Sequence, residues 1–188
     1  LLILSEQMIA NGCSQRTSAG ATENISRSLF ERREVLREIL VVRIPATRAF
    51  MHLDTVFTMI DYDKFTIYPG ISDKIQVFKL TRKGKGGIHV SAEPDLPTAL
   101  KNGLKLPAVD MIPSGGGDAV IAAREQWNDS TNTLAIAPGV AITYRRNERS
   151  NETLRKHGAE VLEIDGSELV RGRGGPRCMS CPLVREDI

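Results

Sequence analysis

The chain has 188 residues and is 41% hydrophobic, enough for one packed domain or a large piece of a bigger one. Lys+Arg 25 against Asp+Glu 23 leaves a formal charge of +2, with the basic residues scattered, so there is no nucleic-acid footprint. The longest apolar stretches, 1–4 and 119–123, fall far short of the ~20 residues of a membrane helix.

The first residues, Leu1-Leu2-Ile3-Leu4, read as the inside of a buried strand that has lost its beginning, so the chain reads as a fragment. Residues 1–9 suggest two short strands around a turn at Ser5-Glu6-Gln7, broken by Asn11-Gly12. A polar loop at 13–18 precedes an amphipathic helix over 22–37, with Ile25, Leu29 and Leu36 apolar among charges. A buried strand follows at 39–44 and stops at Pro45. Residues 51–57, Met-His-Leu-Asp-Thr-Val-Phe, are β-branched and aromatic enough to predict an extended strand. Residues 83–87 form a flexible basic loop, 95–105 a helix, and Ser114-Gly115-Gly116-Gly117-Asp118 a sharp turn.

Residues 134–142 read as a strand pair turned at Pro138-Gly139, and 144–150 as a polar loop. A helix at 151–157 is closed by Gly158, and 160–164 alternates polar and apolar as a half-buried strand does. Residues 1–44 and 133–164 thus share one ββαβ layout, and each ends at a chemically loaded segment, 48–57 and 171–185. The expectation is an internally repeated α/β fold.

His52 and Asp54 stand two apart. On a strand they would emerge on one face, where an imidazole and a carboxylate can move protons and bind a cation. A hydrogen-bonded pair of purely structural value is the alternative. Cys178 and Cys181 form a Cys-x-x-Cys behind Arg171-Gly172-Arg173-Gly174-Gly175-Pro176-Arg177, a segment that no core strand would use. The arginines and free backbone N–H groups there are expected to depress a thiol pKa and make a nucleophile. A redox pair and an ordinary loop cysteine stay open. A zinc site is a poor fit, because the third cysteine, Cys13, is remote and has no partner at motif spacing. Arg16 and Arg173 are candidate anchors for an anionic group, or solvated surface arginines. Gly84, Gly86 and Gly87 lack the context of a phosphate-binding loop, and Trp127 is expected to pack. The odd cysteine count and the lack of a basic, cleavable start suggest a reducing, cytoplasmic setting.

Taken together, residues 51–57, Glu125-Gln126-Trp127-Asn128-Asp129, and the run from Arg171 through Cys178-Met179-Ser180-Cys181-Pro182 resemble the arginine deiminase family, in matching order and spacing over residues 1–185. The last segment separates it from agmatine deiminases, dimethylargininases and amidinotransferases. The resemblance implies a pentein, an α/β propeller of five ββαβ modules around a central site, of which these residues would be a partial set. It implies that 1–188 is the C-terminal part of a single catalytic domain. It also implies hydrolysis of L-arginine to L-citrulline and ammonia through a covalent thiouronium on Cys178. His52 would be the general acid and base, and Asp54 would grip the guanidinium. Arg16 and Arg173 would bind the substrate carboxylate, and Gly172 would lend backbone contact. No metal or organic cofactor is implied, and homo-oligomerisation stays open.

The family's further carboxylates, in Phe-x-Arg-Asp and Glu-Gly-Gly-Asp motifs, are missing here, so these residues alone are expected to be inactive. An agmatine deiminase-like hydrolase, a non-catalytic pentein remnant and a Cys178–Cys181 redox protein are the alternatives.

Overall fold

The computed structural model describes residues 1–84 and 86–184. Lys85, in the basic loop expected to be flexible, and Arg185, at the end of the resemblance, lie outside the described residues. Three sheets share one connectivity. In the first, β1 (Leu2–Ser5) pairs antiparallel with β2 (Met8–Cys13), the chain crosses over through α1 (Ala19–Arg32), and β3 (Glu38–Arg43) returns parallel to β2. In the second, β4 (Phe57–Met59) is antiparallel to β5 (Lys64–Ile67).

Before the second unit closes, the chain makes a long hairpin, β6 (Gln76–Lys83) and β7 (Gly87–Glu93). It extends the first sheet to the order β1-β2-β3-β6-β7. Only then do α2 (Leu96–Leu104) and β8 (Asp110–Pro113) complete the second unit, with β8 parallel to β5. In the third, β9 (Leu134–Ala137), β10 (Val140–Tyr144), α4 (Glu148–Lys156) and β11 (Glu160–Ile164) repeat the pattern, after α3 (Ala119–Gln126).

The expected repeated α/β fold is therefore present, with a middle ββαβ unit between the two anticipated. That unit is hard to see in sequence because its strands are short and the hairpin, which belongs to a neighbouring sheet, separates β5 from α2.

The core follows from strand alternation. On β3, Ile39 and Val41 face α1 with Ile9, Phe30, Leu36 and Leu80. Leu40 and Val42 face the second unit with Phe57, Phe65, Leu96 and Leu100. Burial on both faces explains why β3 is nearly continuous in apolar residues. A smaller cluster of Ile60, Ile112, Ala141, Leu154 and Ala159 joins the second unit to the third.

Four local expectations are corrected. Asn11-Gly12 does not break the chain: both residues sit inside β2, paired with Val41 and Val42. Glycine is required there because a Cβ on Gly12 would lie 2.7 Å from Cβ of Leu53. Helix α1 begins and ends earlier than 22–37. Ser18 caps it by accepting from Ala21 N–H, and Leu36 is buried from the loop that follows. Helix α4 starts three residues before expected, because the buried carboxylate of Glu125 accepts from the backbone N–H of Arg149 and Ser150 at 3.1 and 2.9 Å. A cap supplied from another helix leaves no local trace. Finally, residues 51–57 are not a strand. Leu53–Thr55 is a 3-10 turn and only Phe57 enters β4.

Candidate active site

The 3-10 turn changes how His52 and Asp54 are presented without separating them. His52 precedes the turn with extended backbone, and its carbonyl accepts from Thr55 N–H at 3.2 Å and from Thr55 Oγ1 at 2.6 Å. The turn is held from both sides. Ser14 Oγ donates to Met51 O at 2.6 Å, while Thr55 O accepts from Gln126 Nε2 and Thr131 Oγ1. Both side chains then line one cavity of about 410 Å³ with Asn11, Gly12, Ser14, Thr17, Leu53, Leu1 and Cys178.

Cys178 arrives from the other end of the sequence. The segment from Arg173 runs through a tight bend in which Arg173 itself takes φ 62 and Gly174 φ 140. Gly174 is pinned twice: its N–H donates to Asp129 Oδ2 at 2.9 Å, and its carbonyl accepts from Tyr144 OH at 2.9 Å. Gly175 then presses against Asn132, where a Cβ would meet Asn132 O at 2.5 Å. Cys178 N–H donates to Asn132 Oδ1 at 3.0 Å, and Asn132 Nδ2 donates to Asp54 O at 3.2 Å.

The backing of the site is thus residues 129–133, Asp-Ser-Thr-Asn-Thr, each at most 2% exposed. Sequence reasoning named Asp129 only within the family motif and missed residues 130–132, because a run of small polar residues reads as a loop. Asn132 is the residue it should have found. The signal was a dense run of side chains able to donate and accept just after the Glu125-Gln126-Trp127 motif.

The electrostatics differ from expectation. Cys178 faces solvent as a residue, yet its thiol pKa is raised, first by desolvation of the sulfur and next by the charge of Asp54, with Asp129 adding to it. Hydrogen bonds from the Gly175 backbone and the Asn132 side chain pull it down without winning. The arginines expected to lower it are engaged elsewhere. Arg177 Nε lies 3.3 Å from Asp54 Oδ2. Arg173 stacks its guanidinium 4.5 Å from the centre of the Trp127 ring, with Nη2 3.9 Å from Asp129 Oδ1. Trp127, expected to pack, is 55% exposed and serves as that platform. Burial likewise raises the Asp129 pKa, opposed by Gly174 N–H and Arg173. Asp54 Oδ1 is buried and has no hydrogen-bond partner among the described residues.

Cys178, His52 and Asp54 are therefore brought together. Arg16, Gly172 and Arg173 do not line the cavity. Arg16 lies just beyond it in the Ser14–Thr17 turn, with Nη2 3.6 Å from the Met51 sulfur, and Gly172 is exposed in the 3-10 turn Leu169–Gly172. Among the described residues no group of three or more His, Cys, Asp or Glu could hold a metal ion, and no helix is long and apolar enough to cross a membrane. The arrangement offers a sulfur nucleophile, an imidazole able to carry a proton, and a carboxylate able to pair with a cation, in a single cleft.

Known proteins match this layout. Over 190 residues the chain is 54% identical to an arginine deiminase of Latilactobacillus sakei subsp. sakei, covering 100% of this chain and 46% of that protein. It thus spans about half the length of the curated relatives it matches. Among solved structures, SxtG, an amidinotransferase from Microseira wollei, superposes on 97% of this chain and 46% of its own with a TM-score of 0.69 at 16% identity. AgrE, solved as a binary complex with L-arginine, superposes on 95% of this chain and 21% of its own with a TM-score of 0.59 at 17% identity. At such identities these two speak for the fold alone. The arginine deiminase family model matches residues 1–185, and with a mixed α/β fold of repeated ββαβ units to accompany that match, the chain belongs to the arginine deiminase family.

Proposed function

We propose that this chain supplies the nucleophile-bearing part of an arginine deiminase, hydrolysing L-arginine to L-citrulline and ammonia. The observation that carries the reading is the cavity shared by Cys178, His52 and Asp54. Relatives above half identity named arginine deiminase support the same substrate.

In the first half-reaction Asp54 pairs with the substrate guanidinium and the Cys178 sulfur attacks its central carbon. A nitrogen leaves as ammonia with a proton from His52, and an S-alkylthiouronium forms on Cys178. In the second half-reaction His52 takes a proton from water, the oxygen adds to the same carbon, and the sulfur departs to leave citrulline. Substrate charge assists the start. A guanidinium on Asp54 offsets a charge that holds the thiol pKa up and adds a positive charge beside the sulfur, so binding favours the thiolate. Arg16 and Arg173 anchor the substrate carboxylate, with Gly172 lending backbone contact, once the Trp127 and Asp129 contacts of Arg173 are exchanged for substrate. The reaction calls for no metal or organic cofactor, and the setting is cytoplasmic.

On this reading residues 1–188 are the C-terminal part of one catalytic domain, and the three ββαβ units are blades of a pentein propeller. The 188 residues alone are inactive, since a lone Asp54, already paired with Arg177, leaves most N–H donors of a bound guanidinium without an acceptor. The test is citrulline release with the chain joined to the remaining length that its relatives have. Arginine should be turned over and agmatine, which lacks the carboxylate, should be a poor substrate. Loss of activity in Cys178→Ala but not in Cys181→Ala supports the reading. Loss in both favours a dithiol role.

A further inference from the structure

Asn132 is completely buried, and both ends of its amide are used. Nδ2 donates to Asp54 O at 3.2 Å, and Oδ1 accepts from Cys178 N–H at 3.0 Å. The partners fix the amide's orientation, because a carbonyl requires a donor and an N–H requires an acceptor. We propose that Asn132 is a positioning residue for the nucleophile: its side chain ties the backbone of Cys178 to that of Asp54 and so sets the spacing between thiol and carboxylate across the cavity. This rests on the reading of Cys178 as the nucleophile.

The surroundings are built for that job. Asn132 N–H donates to Asp129 O at 3.0 Å, and the neighbouring Thr131 bonds Thr55 O at 2.5 Å, so the amide cannot drift from the 3-10 turn. Gly175 lets the nucleophile segment come against it, since any larger residue would collide with Asn132 O at 2.5 Å. Arg177 N–H also reaches Asn132 O at 3.4 Å. Other side chains fail chemically. Aspartate offers two acceptors and no donor, leucine offers neither, and glutamine is longer by a methylene in a site with no spare room. The Asn132 side chain also pulls the Cys178 thiol pKa down, against the burial that raises it.

The test uses the 188-residue chain and reads carboxamidomethylation of Cys178 against pH by mass spectrometry, with Cys181 as internal reference. Asn132→Asp keeps the shape, removes the donor and adds a negative charge. In the folded variant the half-point of Cys178 should move up by about one unit, roughly tenfold slower labelling at a fixed lower pH, while Cys181 stays unchanged. An unchanged Cys178 profile, or Cys178 and Cys181 speeding up together as in a loosened chain, overturns the proposal. Hydrogen exchange in the unsubstituted chain decides it even if every variant unfolds. The Cys178 amide should be protected, and free exchange overturns the clamp. Failure here leaves the nucleophile reading standing, because that reading is judged by citrulline release in Cys178→Ala.

Discussion

Arg177 and Asp54 form an ion pair across the candidate active site, Nε to Oδ2 at 3.3 Å, with each side chain about one quarter exposed. The chain's own guanidinium thus holds one oxygen of the carboxylate proposed to bind the substrate guanidinium, while the buried Oδ1 has no partner among the described residues. A ligand guanidinium must compete for Oδ2, because Oδ1 is buried. A pair that still reaches solvent in this way is worth on the order of 1 kcal/mol.

Replacing Arg177 by Gln should therefore tighten binding of guanidinium compounds at Asp54 by roughly fivefold, the equivalent of about 1 kcal/mol. The measurement is protection of Cys178 from alkylation by added arginine or guanidinium ion. Weaker protection in Arg177→Gln would mean that this side chain helps hold the ligand rather than competing with it.

The raised thiol pKa of Cys178 gives a pH prediction whose sign is set by its causes. Desolvation and the Asp54 charge both disfavour the thiolate, so alkylation should reach half its maximal rate above the pH of an ordinary cysteine. Asp54→Asn removes a negative charge and should move that half-point down. A half-point that stays in place or moves up would show that the Asp54 charge is not what holds the thiol pKa up.

Much of the fold was legible in the sequence, and the misses have physical reasons. The outer two ββαβ units were readable because each keeps its strands, crossover helix and returning strand contiguous. The middle unit was hidden by the β6–β7 hairpin, whose residues pair with β3 rather than with their sequence neighbours β5 and β8. Residues 51–57 carry strand-forming side chains, yet the hydrogen bonds of Ser14, Gln126 and Thr131 hold a 3-10 turn there, tertiary contacts that no local propensity encodes. Cys178, His52 and Asp54 could be named because their residue types carry the chemistry. Asn132 was passed over, since the two backbone groups that its amide bonds are remote from it in sequence and only the residue types around it gave a signal.

Glu125 joins the second and third units energetically. Its fully buried carboxylate takes Arg149 N–H, Ser150 N–H and Ser150 Oγ, the last at 2.5 Å. Glu125→Ala orphans these donors at the start of α4 and should cost about 3 kcal/mol, a drop in Tm of roughly 6–12 °C. Thermal unfolding followed by circular dichroism measures it. A drop of under about 2 °C would show that water replaces the carboxylate at no cost.

Gly175→Ala tests the close approach of the nucleophile segment to Asn132. A methyl group 2.5 Å from Asn132 O must push the segment away, and Cys178 N–H loses its acceptor. Hydrogen exchange at the Cys178 amide should rise at least tenfold while the β10 amides keep their protection. Equal protection in both proteins would show that the segment accommodates the methyl group without moving.

The most direct measurement is rapid acid quench of the chain, joined to the remaining length of its relatives and mixed with L-arginine, followed by mass spectrometry of the Cys178 peptide. The account predicts a transient mass gain equal to arginine minus ammonia on Cys178, absent in Cys178→Ala and present in Cys181→Ala. Steady citrulline formation with Cys178 unmodified at every quench time, and undiminished in Cys178→Ala, would contradict it.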